Sequence, residues 1–106
     1  MTTTAQINPY PDIAPPAGAT TVDDWGDEER IIYGKRHEIG AIVTGAWALQ
    51  LPNGSVRGND GHDVYVDEMD ERGYQCERLN LSSAQARQLG QALLAAAATA
   101  DGWVAK

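Results

Sequence analysis

The stretch Ile39-Gly40-Ala41-Ile42-Val43-Thr44-Gly45-Ala46-Trp47-Ala48-Leu49-Gln50-Leu51, followed by Pro52-Asn53-Gly54-Ser55, decides the fold. Neighbouring side chains of an extended strand point to opposite faces, so a two-residue period marks a strand with one buried side. The odd positions read Ile39, Ala41, Val43, Gly45, Trp47, Leu49 and Leu51, and the even ones Gly40, Ile42, Thr44, Ala46, Ala48 and Gln50. The odd face is the expected core side. Pro52 presets φ at the first central position of a turn, and Gly54 stands where left-handed backbone is needed. That is the chemistry of a type I turn with a bulge, closing a hairpin.

Upstream, period two begins at Glu29. Ile31, Tyr33 and Lys35 point one way and Arg30, Ile32 and Arg36 the other, which predicts a half-buried strand of roughly eight residues. Downstream, a third strand starts at Ser55, meets a bulge or loop at Gly58-Asn59-Asp60-Gly61 and resumes over His62 to Glu68. Asp70-Glu71-Arg72-Gly73 turns the chain into a fourth strand, Tyr74 to Leu81. The expected sheet is an antiparallel meander of three to four strands.

A helix ends the chain. Ser82 can cap its free amides while Gln85 reaches back, a capping box. Ala86, Leu89, Leu93, Ala97 and Ala100 share one face at helical spacing, so the helix is expected to pack on one face of the sheet, giving an α+β architecture. Gly102 is expected to stop it, with Trp103 folding back over the last turn. Arg87 is the only charge between Ser83 and Ala100, and the outward side holds Ala84, Gln88, Gln91, Ala95 and Ala98. A face that bland suits a partner better than water, which makes Gln88, Gln91 and Ala95 candidate interaction residues.

The helix sequence Leu81-Ser82-Ser83-Ala84-Gln85-Ala86-Arg87-Gln88-Leu89, continuing through Ala92, Leu93, Leu94 and Ala95 to Ala98, resembles a recurrent type of small uncharacterised protein of actinobacteria and their phages. Those proteins pair a short meander with a helix of the form Leu-Ser/Thr-x-x-Gln-Ala-Arg-x-Leu. The resemblance covers about residues 29 to 100. It implies a cytosolic or phage setting and carries no activity to transfer.

Residues 1–25 read as an extended arm and 26–106 as a single domain. Pro9, Pro11, Pro15 and Pro16 remove backbone donors, which keeps the arm out of helices and sheet interiors. Ile7, Tyr10, Ile13 and Val22 are more apolar than a spacer needs. Trp25 at the junction can bury a large aromatic surface, so Tyr10, Ile13 and Trp25 are candidate anchors in cis or on another subunit.

The chain has 106 residues, 42 % hydrophobic and 22 % charged, the size and composition of one globular domain. Its formal charge is -7, with six acids and no base in the first 29 residues and six more acids from Asp60 to Glu71. That opposes phosphate, so neither nucleic acid nor a membrane is an expected partner. No basic and apolar leader starts the chain, and a cytoplasmic location is expected. The lone Cys76 reads as a small buried group.

Chemistry is harder to find. Asn59, Asp60, His62 and Asp63, with Asp67 and Glu68 beyond, match neither an EF-hand loop nor a zinc pattern, so no metal is expected. His37 and Glu38 are adjacent in a strand and point apart. Ser82 and Ser83 lack a nucleophile's context and are placed to cap the helix. No glycine-rich phosphate loop and no cofactor motif is present. The expected protein is a non-catalytic interaction module, homo-oligomeric or bound to another protein. The alternatives are an acidic inhibitor of a nucleic-acid-handling protein and, behind it, a small metal-dependent enzyme built on His62, Asp60 and Asp63.

Overall fold

A computed structural model describes residues 8–58 and 60–104, so Ile7 and Asn59 lie outside the described residues. The strands are β1 (Thr21–Val22), β2 (Arg30–Tyr33), β3 (His37–Ile39), β4 (Ile42–Gln50), β5 (Val56–Arg57), β6 (Val64–Met69) and β7 (Gln75–Leu81), and α1 (Ser83–Val104) follows. They form one open antiparallel sheet in the order β1-β2-β4-β6-β7, with β3 and β5 also paired to β4.

The sheet therefore has seven strands where three to four were expected. The strand expected from Glu29 ends at Tyr33 and pairing resumes at His37 as β3, the two sides of the expected glycine break are separate strands β5 and β6, and β1 joins the edge once the chain has passed its prolines. A further break falls inside the deciding stretch. Gly40, at φ +59°, turns the chain between β3 and β4, so Ile39 and Ala41 do not belong to the core strand. The odd face holds from there on: Val43, Gly45 and Leu49 are buried. The Leu51–Ser55 turn forms as its chemistry requires, with Gly54 at φ +89° and Asn53 Oδ1 accepting from the Ser55 amide at 2.9 Å.

Directly paired residues share a face. One face, called front here, carries Ile31, Tyr33, Val43, Gly45, Trp47, Leu49, Tyr65, Asp67, Arg78 and Asn80; the back carries Arg30, Ile32, His37, Ile39, Ile42, Thr44, Ala46, Ala48, Gln50, Val64, Val66, Leu79 and Leu81, with Glu68 and Glu77 in the row of Ile42. The core is small. Among the described residues, the buried hydrophobic side chains are Ile32, Val43, Leu49 and Tyr65, and Arg30, Gln50 and Asp67 are buried with them.

The helix does not pack over the sheet, contrary to expectation. The capping box closes, with the Ser82 amide donating to Gln85 Oε1 at 3.0 Å and the Gln85 amide to Ser82 Oγ at 3.1 Å. Only Ser82 separates β7 from α1, and an αβ connection usually needs about 2 to 6 residues. With so short a link, the stiff helix leaves the sheet edge instead of folding back. Ala86, Leu89 and Gly90 are half-buried beside β7, whereas every residue from Gln91 to Trp103 is exposed. The helix also runs through Gly102, and Trp103 is 73 % exposed instead of folded back. Cys76, expected inside, is exposed, as is every residue of β7 except Leu81. The molecule extends 67 × 31 × 20 Å with a radius of gyration of 18.1 Å. A compact chain of this length has about 13 Å.

Candidate interaction surface

The N-terminal segment lies on the back face at the β2/β4 end. Arg30 Nη2 donates to the Ile13 carbonyl at 3.1 Å and Gln50 Nε2 to the Ala14 carbonyl at 2.9 Å, while Arg30 Nε donates to Gln50 Oε1 at 2.9 Å. Two buried polar side chains thereby satisfy one another and two carbonyls of a proline-rich stretch. The Thr20 amide donates to the Tyr33 carbonyl at 2.8 Å, handing the chain into β1.

Three of the candidate residues meet here. The Tyr10 ring stands edge-on to Trp25 at 4.9 Å, and the Arg30 guanidinium lies 4.5 Å from the centre of the Trp25 ring. Ile13 is half-buried beside them. These three contact residues of their own chain. Downstream of this contact, Pro16 and Ala19 face Ile32, Ala46, Ala48 and Val56 across an apolar recess. Gln88, Gln91 and Ala95 stand apart from this cluster, exposed on α1.

The front face carries a second constellation, which the sequence reading did not single out. Arg78 makes a two-pronged ion pair with Asp67, Nε to Oδ1 at 2.7 Å and Nη2 to Oδ2 at 2.8 Å. Its guanidinium also lies 4.9 Å from the Tyr65 ring centre and 5.4 Å from that of Trp47. Tyr33 stacks against Trp47 at 6.2 Å. The hydrogen bond to Asp67 raises the Arg78 pKa, so the cation is fixed at any accessible pH. Partial burial, then the charge of Asp23 and its hydrogen bond at 3.3 Å, raise the Tyr33 phenol. This cluster is filled by its own cation and serves as the front-face core. The Trp25 and Trp47 indole N–H groups are buried without an acceptor among the described residues, each a cost of about 1–3 kcal/mol borne by the packing around it.

The acidic blocks are partly used within the chain. Glu29 pairs with Arg57 at 2.8 Å and Asp70 Oδ1 accepts from the Arg72 and Tyr74 amides, holding the β6–β7 turn. Cys76 has its thiol pKa raised by loss of hydration beside that turn, then by Asp70, Glu68 and Glu77. Asp60 and His62 are exposed, and the Asp63 amide donates to the Leu81 carbonyl. Among the described residues no three His, Cys, Asp or Glu side chains come together as metal ligands, and no helix is long and apolar enough to cross a membrane.

Two apolar surfaces remain. The helix shows Leu93 at 59 %, Leu94 at 75 % and Trp103 at 73 % exposure. On the back face, Ile39 and Ile42 are exposed in β3 and β4 and Leu79 in β7, with Val64, Val66 and Leu81 half-buried between them. Of the stripe assigned from sequence to the chain's own core, Leu93, Ala97 and Ala100 are exposed while Ala86 and Leu89 are half-buried beside β7, and the bland side of Gln88, Gln91 and Ala95 is exposed as well. Compared with known protein families, curated proteins and solved structures, the chain matches none.

Proposed function

We propose that the chain is a non-catalytic protein-interaction module that works as a homo-oligomer. The observation that supports this reading is the helix. Leu93, Leu94 and Trp103 are exposed on an element whose charges are Arg87 and Asp101 alone. Large apolar side chains left exposed along a helix with so few charges mark an interaction site. The four buried hydrophobic side chains among the described residues point the same way, because a chain with so small a core gains stability by burying more surface against a partner.

Light scattering across micromolar concentrations tests it. The mass should rise above the chain's 11.4 kDa as concentration increases. A monomer throughout that range would remove the proposal.

A further inference from the structure

We propose that two copies of the chain exchange their C-terminal helices, so that α1 of each lies along the bare back face of the other's sheet. This rests on the homo-oligomeric reading and assigns its geometry.

The chain cannot cover its own back face. One residue joins β7 to α1, and Ser82 is held in the capping box, so the helix is directed away from the sheet that precedes it. The back face still carries a continuous apolar patch, bounded on one side by Glu68 and Glu77, which pair with one another in the row of Ile42. Ile39 faces Ile42, Thr44 faces Val66, Val66 faces Leu79, and Val64 faces Leu81. The proline-rich segment covers the end at Arg30 and Gln50 and leaves the remainder open.

A second copy has the matching part. Ala86, Leu89, Leu93, Ala97 and Ala100 form one stripe on α1 at spacings of three and four residues; the first two lie half-buried beside their own β7, and Leu93, Ala97 and Ala100 are exposed and open to a partner. The exposed part of the stripe, Leu93 to Ala100, is about 12 Å long, and the run of β4 from Ile42 to Ala46 beyond the covered end extends about 17 Å, so that part of the helix fits along the open strands. A two-fold axis makes both exchanges identical and leaves no unpaired helix.

Area and charge agree with that occupant. The chain exposes 7779 Å². A compact monomer of this mass exposes roughly 5,800 Å², so about 2,000 Å² is in excess, ample for the ~800 Å² per partner of a stable interface. Two chains of charge -7 repel, but α1 carries Arg87 against Asp101 and brings no net charge to the contact.

The test mixes isotope-labelled and unlabelled copies of the full chain and records only contacts between copies by filtered NMR. Cross-peaks from Leu93 and Ala97 methyls to Ile42, Val66 and Leu79 methyls are expected. Cross-peaks from helix to helix alone would overturn the exchange while leaving the homo-oligomer intact. A monomer would overturn both. A second measurement uses Leu79→Glu and Leu93→Arg, both at exposed positions. Each alone should reduce the mass to that of one chain. An equimolar mixture should recover about twice that mass, because one exchanged helix then places Arg against Glu and the other is wild type at both positions. Retention of the dimer by Leu79→Glu alone would exclude the back face as the helix's seat.

Discussion

A methyl group added at Gly45 would lie 2.7 Å from Tyr65 Oη, 3.1 Å from its Cζ and 3.2 Å from the Lys35 carbonyl oxygen. The phenol is the far end of its side chain, but Tyr65 is buried beneath Arg78, which Asp67 holds from the other side. The carbonyl belongs to the irregular stretch between β2 and β3 and moves only with the backbone. Replacing Gly by Ala recovers at most about 0.4–1 kcal/mol through the unfolded chain, against about 1–3 kcal/mol for overpacking, so the clash wins. Gly45→Ala should lower the urea midpoint without changing the slope; an unchanged midpoint would mean that the Tyr65 ring swings aside freely. In sequence this glycine is one more small residue on the odd face. Its constraint arises from Tyr65, twenty residues away, and becomes visible only with the register.

At the scale of elements, local chemistry was readable and long-range pairing was not. The Leu51–Ser55 turn and the Ser82–Gln85 capping box each lie within five residues, and both form. The Gly40 turn was missed because Ile39 and Ala41 continue the odd-position alternation unbroken, so the pattern concealed a change of direction. The Asp67–Arg78 pair was hidden for another reason. Counting outward from the β6–β7 turn, with Met69 opposite Gln75, sets Asp67 opposite Glu77. The irregularity between Glu68 and Met69 shifts the register by one residue and sets it opposite Arg78 instead. The helix itself was legible, but not its direction, which depends on a one-residue link. Alanine-rich sequence sustains a helix with little tertiary support, so the cap governs mainly its first turn. Ser82→Ala should cost about 1 kcal/mol there. Amide exchange at Ala84 to Arg87 should then speed up about fivefold while the Val43 and Leu49 amides stay as they were. Equal acceleration in the sheet would show that helix and sheet open as one unit.

For the whole molecule, charge and apolar surface pull in opposite directions. Each chain carries -7, with Asp23 to Glu29 and Asp60 to Glu71 supplying most of the acids, whereas α1 holds only Arg87 and Asp101 and the back-face patch of Thr44, Val64, Val66, Leu79 and Leu81 is uncharged, with Glu68 and Glu77 at its margin. Association therefore has to overcome repulsion that acts at long range, while the attraction acts only at contact. Salt separates the two, because the Debye length falls from about 30 Å at 0.01 M to about 8 Å at 0.15 M and leaves apolar contact almost untouched. The proposed dimer should accordingly tighten several-fold over that range of NaCl. Sodium sulfate at equal ionic strength should tighten it further, since an excluded salt strengthens apolar burial. An interface held by ion pairs, such as Arg36 or Arg57 against a neighbour's acids, would respond in the reverse direction and loosen as salt rises. Sedimentation equilibrium in the two salts reads the sign directly, and loosening in NaCl would move the contact from the helix and back face to the charged loops.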